Sequence, residues 1–91
     1  MKLHTEHLED RYEMKRDFGR RLRAIRQRTG LTQDQVADRC GMTTAVRGSG
    51  GKRICAYEYG IVCPGAPIVK LLAEALGCTA DELLGVEPQS W

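Results

Sequence analysis

The stretch LTQDQVADRCGM, residues 31–42, carries the clearest local signals in this chain of 91 residues. Thr32 is followed three residues later by Gln35, and this pair forms a capping box, in which each side chain bonds the other residue's backbone N–H at the start of a helix. Apolar residues then recur on one helical face until Gly41 ends the segment. The stretch therefore predicts a short amphipathic helix with defined ends.

Four further segments have helical periodicity and are bounded by capping residues or glycines. Together with the first, they predict helices over residues 17–28, 32–40, 52–59, 66–77 and 79–84. Asp17 is the predicted N-cap of the first helix, in which Phe18, Leu22 and Ile25 share one face. No run of β-branched residues favours a strand. The sequence therefore predicts an all-α fold, a compact bundle of five helices.

The composition is that of an ordinary globular domain, with 42% hydrophobic and 29% charged residues. At this length we expect one small domain whose core is too thin for a large catalytic cleft. No stretch of about 18 apolar residues is present, so we expect no membrane-spanning helix. The N-terminal residues lack the apolar core of a signal peptide, which favours a cytoplasmic protein.

Positive charge is concentrated in the first half of the chain, although the net charge is only +2. Residues 15–28 contain seven basic side chains and one acidic one, whereas residues 61–91 contain one basic and four acidic side chains. This asymmetry favours a polyanionic partner that faces the first half of the chain. The alternative is a solvated helix face with no partner.

Three segments then follow one another in a specific order: LTQDQVADRCGM, ICAYEYG and PGAPIVKLLAEALGCTADELLG. Over about residues 18–85, the chain resembles the lambdoid phage repressor and Cro family of helix-turn-helix DNA-binding domains. The resemblance implies that helix 2 crosses the DNA backbone and that helix 3 reads bases in the major groove. It further implies a sequence-specific transcriptional regulator, a small repressor or autoregulator, that binds double-stranded DNA as a homodimer.

The same resemblance suggests individual site residues. Gln33 matches a glutamine that contacts the DNA backbone, and Arg26 matches an arginine that pairs with a glutamate of helix 3, here Glu58. Counting forward from Gly41 and backward from Gly60 gives reading positions that differ by seven residues, so an insertion lies within residues 43–51. The candidate DNA-binding residues are Gln33, Thr43, Thr44, Arg47, Lys52, Arg53 and Ala56.

The inserted stretch TTAVRGSGGKR, residues 43–53, is basic and rich in glycine. Because glycine favours mobile backbone, we predict an enlarged turn between helices 2 and 3 that is disordered in the free protein and becomes ordered on DNA. The alternative is a tolerated insertion without function. A nucleotide-binding P-loop is excluded, because the first glycine and the hydroxyl residue of that motif are missing and no strand precedes it.

Four cysteines, Cys40, Cys55, Cys63 and Cys78, leave three alternatives open: reduced structural thiols, metal ligands, or a disulfide. No C-x-x-C pair is present, which favours reduced thiols and no bound metal or other cofactor. No nucleophile–base pair or set of paired carboxylates is apparent, so we do not expect an enzyme.

The chain divides into a charged N-terminal extension over residues 1–16, helical or disordered, a DNA-binding domain over residues 17–85, and a frayed tail over residues 86–91. The competing interpretation is a protein-interaction module, such as an antitoxin or controller subunit with a repurposed helix 3. Gly51 and Ala56 favour it, because neither side chain can hydrogen-bond a base. A protein partner is then expected in place of DNA.

Overall fold

The computed structural model describes residues 3–42 and 49–86. Its helices are α1 (Leu3–Thr29), α2 (Gln33–Arg39), α3 (Ser49–Glu58), α4 (Ala66–Leu76) and α5 (Ala80–Leu84). The described residues contain no strand, and the predicted all-α fold of five helices is confirmed. None of these helices is both long enough and apolar enough to cross a membrane. The predicted tail lies outside the described residues, except for Val86.

The core lies where all five helices meet. Each helix contributes one of the five largest fully buried side chains: Leu22, Val36, Ile54, Leu72 and Leu83 in chain order. Burying one such side chain contributes about 1.5–3 kcal/mol to folding. The stripes predicted for α1 and α2 are confirmed, because Phe18, Ile25, Ala37 and Cys40 are buried in the same cluster.

Both predicted capping boxes are present and position the two shortest helices. The Thr32 hydroxyl oxygen accepts the Gln35 N–H at 3.1 Å, and the Gln35 side chain accepts the Thr32 N–H at 2.8 Å. Thr79 and Glu82 repeat this arrangement at 3.1 Å and 3.3 Å. Helices of seven and five residues are unstable in isolation, so the caps and the core packing together fix where α2 and α5 begin.

Helix α1 begins at Leu3, so the prediction that it starts at an Asp17 N-cap is wrong. Asp17 lies inside the helix, where its carboxylate pairs with the Arg20 guanidinium. Residues 3–16 contain neither glycine nor proline and include many strong helix formers. Forming the first turn of a helix is unfavourable, and the tertiary packing of the second half of α1 offsets this cost. Further residues can then extend the helix toward the N-terminus.

Helix α3 begins at Ser49, so the prediction of a disordered turn is wrong for residues 49–53. Residues 43–48 of that turn lie outside the described residues. Gly50 and Gly51 are helical and buried against α2. A Cβ atom on Gly50 would lie 2.8 Å from Cβ of Ala37, and one on Gly51 would overlap the carboxylate of Asp34. Gly50 therefore allows α3 to pack closely on α2, and Gly51 leaves room for the Asp34 carboxylate.

Gly19 has the same role where α1 meets the end of α3. A Cβ atom on Gly19 would lie 2.6 Å from the carbonyl oxygen of Tyr57 and even closer to that of Glu58. Both neighbours are backbone atoms, so they cannot move away without displacing α3. Backbone-to-backbone contact at Gly19 thus sets the distance between α1 and α3.

We expect Gly19→Ala to lower the free energy of unfolding by about 1–3 kcal/mol, because the added methyl group forces α1 and α3 apart. Urea unfolding monitored by circular dichroism measures this change. Gly65→Ala, at the N-cap of α4, is the control: a Cβ atom there meets only Pro67 Cδ, at 3.8 Å, so its cost is limited to the weaker N-cap preference of alanine. A decrease for Gly19→Ala no larger than that of the control would contradict the close approach.

Candidate nucleic-acid interface

A single carboxylate joins three helices. Glu58, at the end of α3, accepts hydrogen bonds from Arg26 of α1, at 2.5 Å from Nε and 3.0 Å from Nη2. It also accepts one from the side-chain amide of Gln33, the first residue of α2, at 3.2 Å. We call these three residues the Arg26–Glu58–Gln33 network. It fixes α3 relative to both α1 and the start of α2.

The network is largely removed from solvent, with the Glu58 side chain 3% exposed and that of Arg26 14% exposed. The hydrogen bond to Glu58 raises the pKa of Arg26 above its ordinary value, so the guanidinium stays charged. A third guanidinium nitrogen, Nη1, donates to the backbone carbonyl of Leu31 at 2.9 Å. Arg26 therefore also anchors the connection between α1 and α2.

An open cleft of about 400 Å³ lies between the first turn of α2 and the exposed face of α3. We call it the α2–α3 cleft. Its lining residues are Thr32, Gln33, Asp34, Gly51, Lys52 and Cys55. Lys52 is solvent-exposed and carries a positive charge on the α3 side of the cleft, while the α2 side carries the exposed Asp34 carboxylate.

A smaller cleft of about 80 Å³ is formed over the network itself, where Arg23 and Tyr59 join Arg26, Gln33 and Glu58. Arg23 and Tyr59 are both exposed, and they place a guanidinium and a phenol beside Gln33. Sequence reasoning missed these two residues. For Arg23 the available signal is its position three residues before Arg26, which puts both on one face of α1.

The structure brings only part of the predicted site together. Gln33 and Lys52 line the same cleft, whereas Arg53 is exposed on α3 and its Nη2 lies 3.4 Å from the Tyr57 hydroxyl. Ala56 is half-buried and lies outside the lining of the α2–α3 cleft. The predicted residues Thr43, Thr44 and Arg47 lie outside the described residues.

All four cysteines are free thiols. Burial raises the pKa of Cys40, and burial followed by the nearby Glu82 charge raises the pKa of Cys78, so both thiols stay neutral over a wider pH range than usual. Cys63 is exposed. Among the side chains described in residues 11–42 and 50–86, no group of three or more His, Cys, Asp or Glu is placed to hold a metal ion.

A family model described as a helix-turn-helix domain matches residues 17–84. The matched segment contains the Arg26–Glu58–Gln33 network and every residue that lines the two clefts. No curated protein and no solved structure matches the chain.

We expect Arg26→Ala to lower the free energy of unfolding by about 3–5 kcal/mol, because it leaves the buried Glu58 carboxylate without its cation. Chemical denaturation measures the decrease. Arg28→Ala is the control, since its contact with Glu82 is 3.9 Å long and exposed, and it should cost less than about 1 kcal/mol.

The double variant Arg26→Met/Glu58→Leu removes both charges but keeps side chains of similar volume, so it separates the effect of the ion pair from the effect of packing. We expect it to recover most of the stability that Arg26→Ala removes, because apolar residues of similar volume leave no unpaired charge. Equal effects of Arg26→Ala and Arg28→Ala would show that the buried pair does not hold the helices together.

Proposed function

Because this chain belongs to the helix-turn-helix domain family, a DNA-binding family, we propose that it is a sequence-specific transcriptional regulator that reads the major groove of double-stranded DNA with α3. The observation that carries the proposal is the α2–α3 cleft, which Gln33 and Lys52 both line and whose helices the Arg26–Glu58–Gln33 network holds in place. The major groove is about 12 Å wide and admits one helix.

The positions of exposed basic side chains support contact between DNA and the exposed face of α3. Lys52 and Arg53 are exposed on α3, and Arg23 is exposed beside the last turn of that helix. Phosphate contacts from Lys and Arg supply most of the sequence-independent affinity for DNA and position the reading helix. Tyr59 and Gln33 add neutral donors on the same side, so the proposed DNA-facing surface comprises Gln33, Lys52, Arg53, Arg23 and Tyr59.

The finer assignment rests on the resemblance to lambdoid phage repressors and Cro proteins. We propose a small repressor or autoregulator that binds as a homodimer, so that two copies of α3 meet two half-sites about one helical turn apart. Leu84 is a candidate for the dimer contact. It follows the fully buried Leu83 on α5, yet 47% of its surface is exposed.

A second candidate function, a protein-interaction module such as an antitoxin or controller subunit, is favoured by the connection between α3 and α4. Tyr59, Ile61 and Val62 are all exposed there, and residues 59–69 contain no charged side chain. Exposed apolar side chains in such proximity are typical of protein contacts. In this alternative the helix-turn-helix fold presents an apolar surface to a protein partner.

Selection from random-sequence duplexes, followed by binding measurements at several salt concentrations, tests the proposal. We expect an enriched motif, and we expect Lys52→Ala or Arg53→Ala to weaken binding and to reduce the salt slope by about 0.9 for each phosphate that is no longer neutralised. Lys70→Ala on α4 is the control and should change neither quantity. An absence of DNA binding at about 50 mM salt would favour the interaction module instead.

We expect Leu84→Lys to shift the protein toward monomer in sedimentation equilibrium, because it places a charge in the proposed dimer contact. Leu71→Lys, at an exposed leucine of α4, is the matched control and should leave assembly unchanged. A wild-type protein that stays monomeric at high micromolar concentration, even on DNA, would argue against the symmetric dimer.

A further inference from the structure

We propose that Asp34, on α2, is a base-reading residue that selects cytosine, while Lys52, on α3, contacts guanine in the same half-site. The inference rests on the proposed function, since it concerns which bases the α2–α3 cleft prefers. The family resemblance assigns base reading to α3 alone and gives Asp34 no role.

The Asp34 carboxylate lies where α2 meets the start of α3. Its Oδ1 atom lies directly against the backbone of Gly51, where a Cβ atom would overlap it and would approach its Cγ to 3.0 Å. Gly51 is the residue before Lys52, and all three residues line the α2–α3 cleft. The absent side chain at Gly51 therefore allows a carboxylate from α2 to occupy the start of the proposed reading surface.

The other lining residues have less to offer a base. The Thr32 hydroxyl oxygen caps α2 by accepting the Gln35 N–H, and the Gln33 amide donates to Glu58. Cys55 carries only a weakly hydrogen-bonding thiol. Asp34 and Lys52 are both exposed, and they are the charged side chains of the cleft lining.

This pair of groups matches the edges of a G·C pair. In the major groove guanine presents two acceptors, O6 and N7, which suit the Lys52 ammonium. Cytosine presents the N4 amino donor, which suits a carboxylate acceptor such as Asp34. Adenine needs a donor and an acceptor from one side chain, as an asparagine or glutamine provides. The cleft chemistry therefore favours G·C over A·T pairs.

Asp34 also lies in the first turn of α2, where a carboxylate stabilises the helix by interacting with the positive end of the helix dipole. That role alone predicts no effect on base preference, so the two roles can be separated. Asp38 lies one turn further along α2 and is exposed, but it does not line the cleft. Asp38→Asn therefore removes the same charge from the same helix without touching the proposed reading surface.

The experiment is selection from random duplexes with the full chain, followed by competition binding on duplexes that differ by one base pair, at fixed salt. For wild type we expect cytosine at one half-site position to be preferred by about tenfold. Asp34→Ala should abolish that preference, and Asp34→Asn should shift it to adenine, because asparagine pairs with N6 and N7 of adenine. Asp38→Asn should strengthen binding to all sequences alike.

Gly51→Ala adds an independent variant with Asp34 intact. Because the new methyl group displaces the carboxylate, we expect the cytosine preference to fall while the helical circular dichroism signal is kept. If Asp34→Ala and Asp34→Asn both retain the wild-type motif, the inference about Asp34 is overturned, while the proposed function as a sequence-specific regulator is still supported. If wild type enriches no motif at all, the proposed function fails before the question of Asp34 arises.

Discussion

The arrangement of the three N-terminal helices depends on the ion pair between Arg26 and Glu58. A carboxylate with 3% exposure is stable only when its charge is compensated, and here a guanidinium from α1 and an amide from α2 do so together. Replacing the pair with apolar residues could preserve stability, but it would remove the directional bonds that fix the rotation of α3. Those bonds set the direction in which Lys52 points, and the proposed reading surface follows from it.

Close backbone packing adds a second constraint on the same helix. α3 approaches the backbone of α1 at Gly19 and Cβ of Ala37 on α2 at Gly50, in both cases at distances that an added side chain would not permit. Side chains can change rotamer, whereas backbone contacts leave little freedom. Helix α3 is therefore held against α1 by a backbone contact that hardly adapts, while its exposed face carries Lys52, Arg53 and the half-buried Cys55.

Local sequence signals predicted the fold well because they are carried by neighbouring residues. The capping boxes at Thr32 and Thr79 depend on residues three positions apart, and the stripes of α1 and α2 depend on helical periodicity alone. The start of α1 was harder, because Asp17 has the chemistry of an N-cap but also pairs readily with a basic residue one turn later. Which role it takes depends on the residues before it.

Features that depend on tertiary neighbours could not be read from the sequence. Glycine is common both in mobile turns and where a helix packs closely on its neighbours. Only the tertiary contacts of Gly50 and Gly51, with Ala37 and Asp34 of α2, show that these two glycines lie in a packed helix. The grouping of Arg23 with Tyr59, and of Asp34 with Lys52, likewise joins residues that are far apart in the chain. The Arg26–Glu58 pair was anticipated only through the family resemblance.

Helix α1 runs without interruption from Leu3 to Thr29, and among its side chains described from residue 11 onward the first buried one is Phe18. At 1.5 Å per residue, the part before Asp17 is about 20 Å long, and Tyr12 and Met14 on it are exposed. A label attached near Leu3 would therefore be separated from the core by this helical segment, and its position on bound DNA would report the direction in which the proposed reading helix α3 lies on the site.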